Sequence, residues 1–360
     1  MNINLSAGIN KTGYGCVATN ILKTLYQKGH HVCLFPIGNP DIESPAVNNA
    51  WNASIKNADT YNGQNPSLKI WHEFDLAARF SNTLNTALTF FEGNKLNQRA
   101  VNHINSLDYL YVASKWAKNI VEEHCNTTCE VLPMGADDEI FKPSEPNDSE
   151  TYKFFSTGKL EKRKGHDILV ELFNNAFTEK DDVQLYIKWD NPFIHKEEQE
   201  TWERLYKNSP LGHKIHFIRT QYHHEVAELI KSCHCGIYPT RSEGFGLGIL
   251  ETIASNRPVI TTDYSAQAEI CQTNNSLKVP IQKLTPAIDG KWFYGQFEWA
   301  NIGTEQKDQF IEHMRYCFRN NIRDNPGYEN VISYYNWDNC VDILTESLKV
   351  KEREVNLDLE

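Results

Sequence analysis

The chain has 360 residues, 40% of them hydrophobic and 23% charged, with a formal net charge of −11. This is globular composition with length for two cores, and the absence of any run of eighteen apolar residues argues against a membrane-spanning helix. The acidic balance disfavours nucleic acid and anionic lipid as partners without excluding a local basic groove, and the lack of a leader-like opening predicts a cytoplasmic protein. The nine cysteines are scattered, mostly inside apolar patterns where a thiol behaves as a small buried hydrophobe. Neither His124-Cys125 with Cys129 nor Cys233-His234-Cys235 has zinc-site spacing, so no metal is expected.

Residues 2–5 read as a strand, followed at once by K-T-G-Y-G-C. Val17, Ile21, Leu22 and Leu25 recur at helical spacing and 31–36 form a second apolar strand, the opening of a doubly wound sheet. Within the loop, Gly13-Tyr14-Gly15 either turns the chain tightly or lets its backbone approach a ligand. Residues 39–66, rich in Asn and Pro, predict an irregular connection. A strand at 68–71 ends on His72-Glu73-Phe74-Asp75, and one at 87–91 ends on Glu92. Ligands of open parallel sheets lie beyond the carboxyl ends of strands, which favours His72 and Glu92 as site residues. A histidine in a surface turn and a helix-capping carboxylate are the structural alternatives. A strand at 109–113 precedes Ser114, which caps a helix at 115–124. The polar segment S-E-P-N-D-S-E-T then predicts a linker, giving domains at 1–147 and 148–335 and a terminal helix at 336–360.

The second domain opens with a strand at 153–157 that ends on G-K-L-E-K-R-K-G. Its cations precede an amphipathic helix at 166–177, whose N-terminus favours phosphate; a solvated turn is the alternative. Strands at 183–189 and 215–218 and helices at 197–206 and 223–231 lead to a strand and then T-R-S-E-G-F-G-L-G-I-L-E at 240–251. Gly244, Gly246 and Gly248 admit a tight turn ahead of a helix that starts near Leu247, and a phosphate fits that helix end. Glu243 and Glu251 repel phosphate, so they accept hydrogen bonds from hydroxyls on either side of one, which describes a sugar nucleotide. Beyond lie a strand at 259–262, S-A-Q-A-E, and the aromatic W-F-Y-G-Q-F-E-W, suited to stacking on a sugar or to packing. Helices at 309–320 and 337–351 follow, and the charged last residues are expected to fray.

E-G-F-G-L-G-I-L-E, two glutamates separated by seven residues, resembles the signature of retaining GT-B glycosyltransferases of the family-four, or group 1, type, and the similarity extends over nearly the whole chain. The resemblance implies an α/β fold of two Rossmann-like, doubly wound domains facing a cleft, with the C-terminal helix crossing back to the first. It implies a retaining, metal-independent hexosyl- or pentosyltransferase without a cofactor, using a nucleotide diphosphate sugar, a UDP-sugar ahead of a GDP-sugar. Glu243 then meets the donor sugar and Glu251 the ribose. Lys164 matches the family lysine on the diphosphate, while Lys159 stands where the family has arginine, with Arg163 as the alternative. Gly244, Phe245, Gly246 and Leu247 complete the donor loop, Gly13 and Gly15 approach the donor phosphate or the acceptor, and 219–222 touches the base. His72 joins Glu243 and Lys164 as a catalytic candidate; Glu92 and Tyr14 are candidates for the acceptor. Asn256 replaces a usual Gly and Gly248 a common Pro. The acceptor is expected to be a saccharide or glycoconjugate; a macromolecule such as modified DNA or protein, or nucleotide-sugar binding without turnover, are the other readings.

Overall fold

The computed structural model describes the chain except residues 146–147, 189–190, 221 and 360, with backbone alone at 355–359. In chain order the first elements are β1 (Asn2–Ala7), α1 (Gly13–Gln27), β2 (His31–Pro36), α2 (Pro45–Lys56), β3 (Ser67–Ile70), β4 (Asn85–Thr89), α3 (Gln98–Ile104), β5 (Tyr109–Val112), α4 (Lys115–His124) and β6 (Cys129–Val131). There follow β7 (Tyr152–Ser156), α5 (His166–Ala176), β8 (Val183–Lys188), α6 (Lys196–Lys207), β9 (Ile215–Ile218), α7 (His223–Ser232), β10 (Cys235–Tyr238), α8 (Leu247–Ala254), β11 (Val259–Asp263), α9 (Gln267–Ile270) and β12 (Ser276–Pro280). A hairpin of β13 (Leu284–Ile288) and β14 (Tyr294–Ala300) comes next, then α10 (Thr304–Arg319), α11 (Tyr328–Ile332) and α12 (Trp337–Leu359). Among the described residues no helix is long and apolar enough to cross a membrane.

These elements form two compact units, one of Met1–Asp137 with Tyr334–Glu360 and one of Asp138–Ser333. In the first, six parallel strands run in the order β2-β1-β3-β4-β5-β6. Ile3, Leu5, Leu68, Ile70, Ala87, Leu88, Leu110 and Val112 are fully buried, the near-continuous apolar run of strands covered on both faces. The face of α1 carrying Val17, Ile21, Leu22 and Leu25 is buried, and Ser114 Oγ caps α4 by accepting from the Ala117 amide at 3.1 Å. Helix α12 lies against α1, and Ala136 pairs with Asn336 in an isolated parallel bridge.

The second sheet is also six-stranded and parallel, in the order β12-β11-β10-β7-β8-β9. Its core joins Phe154, Leu185, Ile187, Ile237 and Ile260 from the strands to Leu169, Leu172 and Phe173 of α5 and Phe310 and Met314 of α10. Burial of each such side chain contributes about 1.5–3 kcal/mol. The doubly wound α/β organisation expected from the sequence is present in both units.

Three expectations need correction, and the segment 281–306, given no secondary structure from the sequence, gains a hairpin. Residues 39–66 are not wholly irregular: they hold α2, started by Ser44 Oγ accepting from the Val47 amide at 3.3 Å and by a proline in the first turn, with Val47, Ala50 and Ser54 buried. Gly13, Tyr14 and Gly15 do not form a loop but the first turn of α1. Residues 281–306 contain an antiparallel hairpin, in which the aromatic cluster is divided between buried Trp299 and exposed Trp292 and Tyr294. The second unit begins at Asp138, ahead of the expected linker, because Arg257 holds that segment through the Ser144 carbonyl and hydroxyl and the Glu145 carbonyl at 2.8–3.1 Å. Residues 146–147 of that linker and Trp189 of the expected strand lie outside the described residues. The C-terminal backbone stays helical through Leu359.

Candidate functional site

The second sheet changes direction between β7 and β10: the chain continues from β7 to β8 on one side and from β10 to β11 on the other. Loops that diverge from such a point leave a crevice at the carboxyl ends of the strands. The two loops here are 157–165 and 239–246, the two glycine-bearing segments picked out in the sequence, and they are laced together. The Arg241 amide donates to the Arg163 carbonyl at 2.7 Å, as does the Thr240 hydroxyl at 3.1 Å. Gly165 is required at this seam: its φ is +78°, and a Cβ there would stand 2.0 Å from the Pro239 carbonyl oxygen.

Glu243 is the centre of the site. Lys164 Nζ donates to its Oε1 at 2.7 Å, the Arg163 guanidinium to its Oε2 at 3.1 Å, and the Thr240 hydroxyl to Oε1 at 3.1 Å. Its amide donates to Ser265 Oγ at 2.9 Å, so the loop after β11 braces it as well. Burial alone would push this carboxyl up, but Lys164 and Arg163 outweigh burial and hold it down at about 2. Arg163 also donates to the Ser242 carbonyl at 2.8 Å and to Glu161 at 2.7 Å. Burial works against ionisation of Glu161 too, yet Arg163, Lys159 and Lys164 keep its pKa below the usual range. With a side chain 5% exposed, Arg163 is built into the loop, whereas Lys164 is 21% and Lys159 39% exposed. Lys159 lies over the exposed Phe193 ring at 4.9 Å.

Two helices begin at this crevice, α5 after Gly165 and α8 after Gly246, and neither has a side-chain cap. Both N-termini direct main-chain N–H groups and positive partial charge at what the loops enclose. The one acidic residue in the first turn of α5, Asp167, is neutralised by a two-pronged contact with Arg241 at 2.7 and 2.9 Å. Arg241 also lies 5.6 Å from the Trp299 ring, and its carbonyl accepts from the Ala300 amide at 3.0 Å, so the hairpin is fastened to this loop.

The structure thus brings together Glu243, Lys164, Arg163, Lys159, Gly244, the buried Phe245, Gly246 and Leu247. Glu251 is buried one turn into α8, on the side where Gly248 faces Thr157 and Tyr238. The Tyr238 phenol is pushed up, mainly by burial, with Glu251 adding to it. The Asn256 departure has a local reason: its φ is +58°, a backbone that glycine adopts freely, and its Oδ1 accepts from the Asn325 amide at 2.9 Å. Thr240, Arg241, Ser265, Asp167 and Glu161 were not singled out from the sequence; their contacts lie up to 80 residues away or on an unremarkable turn. Of 219–222, Gln221 lies outside the described residues.

The remaining candidates belong to the first unit. Tyr14 reaches from α1 to the end of β4, its hydroxyl accepting from the Phe90 amide at 2.9 Å and meeting the Thr89 hydroxyl at 3.1 Å. Its ring lies 4.5 Å from that of His72, which follows β3. Glu92 follows β4, close enough to act on the same group of side chains. Gly15 passes against Asn10, whose Oδ1 would be 2.1 Å from a Cβ, whereas Gly13 has open space around it.

Residues 137–280 match the family model described as Glycosyl transferases group 1. A probable sucrose-phosphate synthase of Thermosipho melanesiensis is 31% identical over 235 residues, 62% of this chain and 47% of that protein. The chain spans about half, or less, of the length of the curated relatives it matches. Among solved structures, the sucrose-phosphate synthase of Thermosynechococcus elongatus superposes with a TM-score of 0.72 at 16% identity, covering 97% of this chain and 98% of that one. Anabaena HepE in complex with UDP and glucose gives a TM-score of 0.71 at 12% identity, covering 97% and 100%. These likenesses show the GT-B fold.

Proposed function

We propose that this chain, whose residues 137–280 match the family model of glycosyl transferases group 1, is a retaining glycosyltransferase that takes its sugar from a nucleotide diphosphate sugar and passes it to a hydroxyl of a saccharide or glycoconjugate. The observation that carries the reading is the meeting of Lys164 and Arg163 with Glu243 in front of the uncapped N-termini of α5 and α8. Cations and helix ends aimed at one place suit a diphosphate, and a buried carboxylate beside them suits the hydroxyls of the sugar it carries.

In this reading Lys164, the more exposed partner of Glu243, exchanges that carboxylate for phosphate when the donor enters, and Lys159 adds a second point charge. Arg163 keeps Glu243 and the Ser242 carbonyl in place rather than leaving the loop. Glu243 accepts from hydroxyls of the donor sugar and Glu251 from the ribose. The acceptor oxygen forms a bond to the anomeric carbon as the bond from that carbon to the diphosphate breaks. The acceptor proton passes to the departing phosphate oxygen on the same face, and positive charge fixed in advance stabilises the diphosphate that develops. A uridine nucleotide is favoured; HepE, which shares the fold, was solved with UDP and glucose.

The test is calorimetric titration of the full chain with uridine, guanosine, adenosine and cytidine diphosphate sugars, beside Glu251→Ala and Lys164→Met. Binding of one nucleotide class to the wild type, weakened at least tenfold in both variants, supports the reading. Binding by none, or equal binding by all three proteins, overturns it. Product anomers read by NMR then decide retention.

A further inference from the structure

The first sheet has its own change of direction. From β1 the chain goes to β2 on one side and then returns to β3 on the other, so the loops after β1 and β3 diverge and open a crevice at their carboxyl ends. Tyr14 enters it from α1, and Trp71, His72, Glu73 and Phe74 enter it from the turn after β3. The rings are layered: Tyr14 lies 4.5 Å from His72, and His72 stacks on Phe74 at 5.2 Å with 15° between planes. Phe74 is 37% exposed and carries the Arg99 guanidinium at 5.4 Å. Tyr14 is a fixed wall, its hydroxyl already engaged by Phe90 and Thr89.

Glu73 differs from every other carboxylate of the candidate site. It is half-buried in this turn and, beyond its own main-chain amide, no donor among the described residues reaches it. The charges around it do not compensate. Glu92, after β4, acts on it with the same sign; Asp75 in its own turn is paired with Lys69 at 3.5 Å; Lys95 follows Glu92, and Arg99 of α3 rests on the Phe74 ring. Burial first, and Glu92 second, push its carboxyl up to about 7. Glu243 in the second unit, with two cations on it, shows the opposite condition.

Resting on the glycosyltransferase reading, we propose that Glu73 accepts a hydrogen bond from a hydroxyl of the acceptor in this crevice, positioning it without taking its proton, and that the acceptor it takes is an uncharged saccharide rather than a sugar phosphate. A hydroxyl supplies the hydrogen-bond donor that Glu73 lacks, and the partly exposed Phe74 beside it adds apolar surface for the body of a sugar. A phosphate would meet the carboxyls of Glu73 and Glu92, which already repel each other, an arrangement that disfavours anions.

The experiment is ligand-observed NMR binding of matched pairs, neutral methyl hexosides and the corresponding hexose phosphates, to the full-length wild type, Glu73→Gln and Glu73→Asp, with and without UDP, from pH 5.5 to 8.5. Neutral hexosides are expected to bind the wild type at least tenfold more tightly than the phosphates, more tightly above pH 7 than below it, and at least tenfold more weakly to Glu73→Gln at pH 8. The rise with pH is expected to vanish in Glu73→Gln and to persist in Glu73→Asp, which a merely structural role of Glu73 does not produce. Preference for the phosphates, or neutral binding that Glu73→Gln leaves intact, overturns the proposal. UDP binding is read in the same tubes: its absence overturns the donor assignment in the second unit, while the hexoside result still decides the role of Glu73.

Discussion

Replacing Glu243 with glutamine keeps the shape of the side chain and removes its charge, so the two cations that converge on it lose their partner. A carboxyl held at about 2, against an ordinary value of 4.5, adds about 3 kcal/mol to the folded state when ionised, at about 1.4 kcal/mol per pH unit. In a unit of about 200 residues that corresponds to a melting point lower by about 6–12 °C at pH 7. The sign follows from the folded value lying below the unfolded one. The contribution is complete above about pH 4.5 and is lost as pH falls toward 2, so the gap between wild type and Glu243→Gln should narrow steadily between pH 5 and 3. Differential scanning calorimetry of both proteins across pH 3–7 measures this, because titrating groups remote from Glu243 are common to the two and cancel in the difference, leaving Glu243 and the coupled Glu161. A gap that stays constant down to pH 3, or a glutamine variant that melts as high as the wild type at pH 7, would refute the claim that Lys164 and Arg163 hold Glu243 ionised.

Gly165→Ala should lower the melting point of the second unit and weaken nucleotide binding at least tenfold by calorimetry, since its Cβ would stand 2.0 Å from the Pro239 oxygen; Gly13→Ala, with nothing within 4 Å, should leave the melt unchanged or slightly raised. Asn256→Ala should cost about 1–3 kcal/mol in urea unfolding, from the positive φ and the lost bond to Asn325, whereas Asn256→Gly should lose only the bond, about 1 kcal/mol. Arg257→Met should cost about 3 kcal/mol or more, because the fully buried guanidinium serves the carbonyls of Cys233, Ser144 and Glu145, and methionine leaves them without donors; equal urea midpoints for the two proteins would contradict this.

The parts of this protein that were legible in the sequence are those governed by neighbours in the chain. Val17, Ile21, Leu22 and Leu25 mark α1 because helical packing repeats every few residues, and Ser114 marks the start of α4 because a cap acts over three positions. Gly246 stood out because glycine is at ease with the backbone its loop needs, whereas the same need at Gly165 emerged only in the structure. Helix α2 was hidden because asparagines weaken the apolar stripe and its start rests on Ser44 and Pro45, which read equally well as a loop. The hairpin β13–β14 was hidden because its aromatics do not alternate cleanly between buried and exposed faces. The partners of Glu243 were guessed individually, but their union could not be read: Arg163 and Lys164 lie some 80 residues away, and nothing local records which cation a carboxylate will meet. Glu73 passed unnoticed for the converse reason, since its character comes from the cations missing around it.

The first unit is written in two instalments, 1–137 and 334–360, with the second unit continuous between them. During synthesis the side of α1 that α12 covers therefore leaves the ribosome about 310 residues, Gln27 to Trp337, before its cover is made. At about 5–20 residues per second the exposed interval lasts roughly 15–60 s. The second unit has all of its strands in hand before that interval ends. The half of the molecule that is translated first is thus the half that finishes folding last, and a nascent chain from which residue 333 has just emerged would carry a second unit complete in sequence and a first one still open along α1.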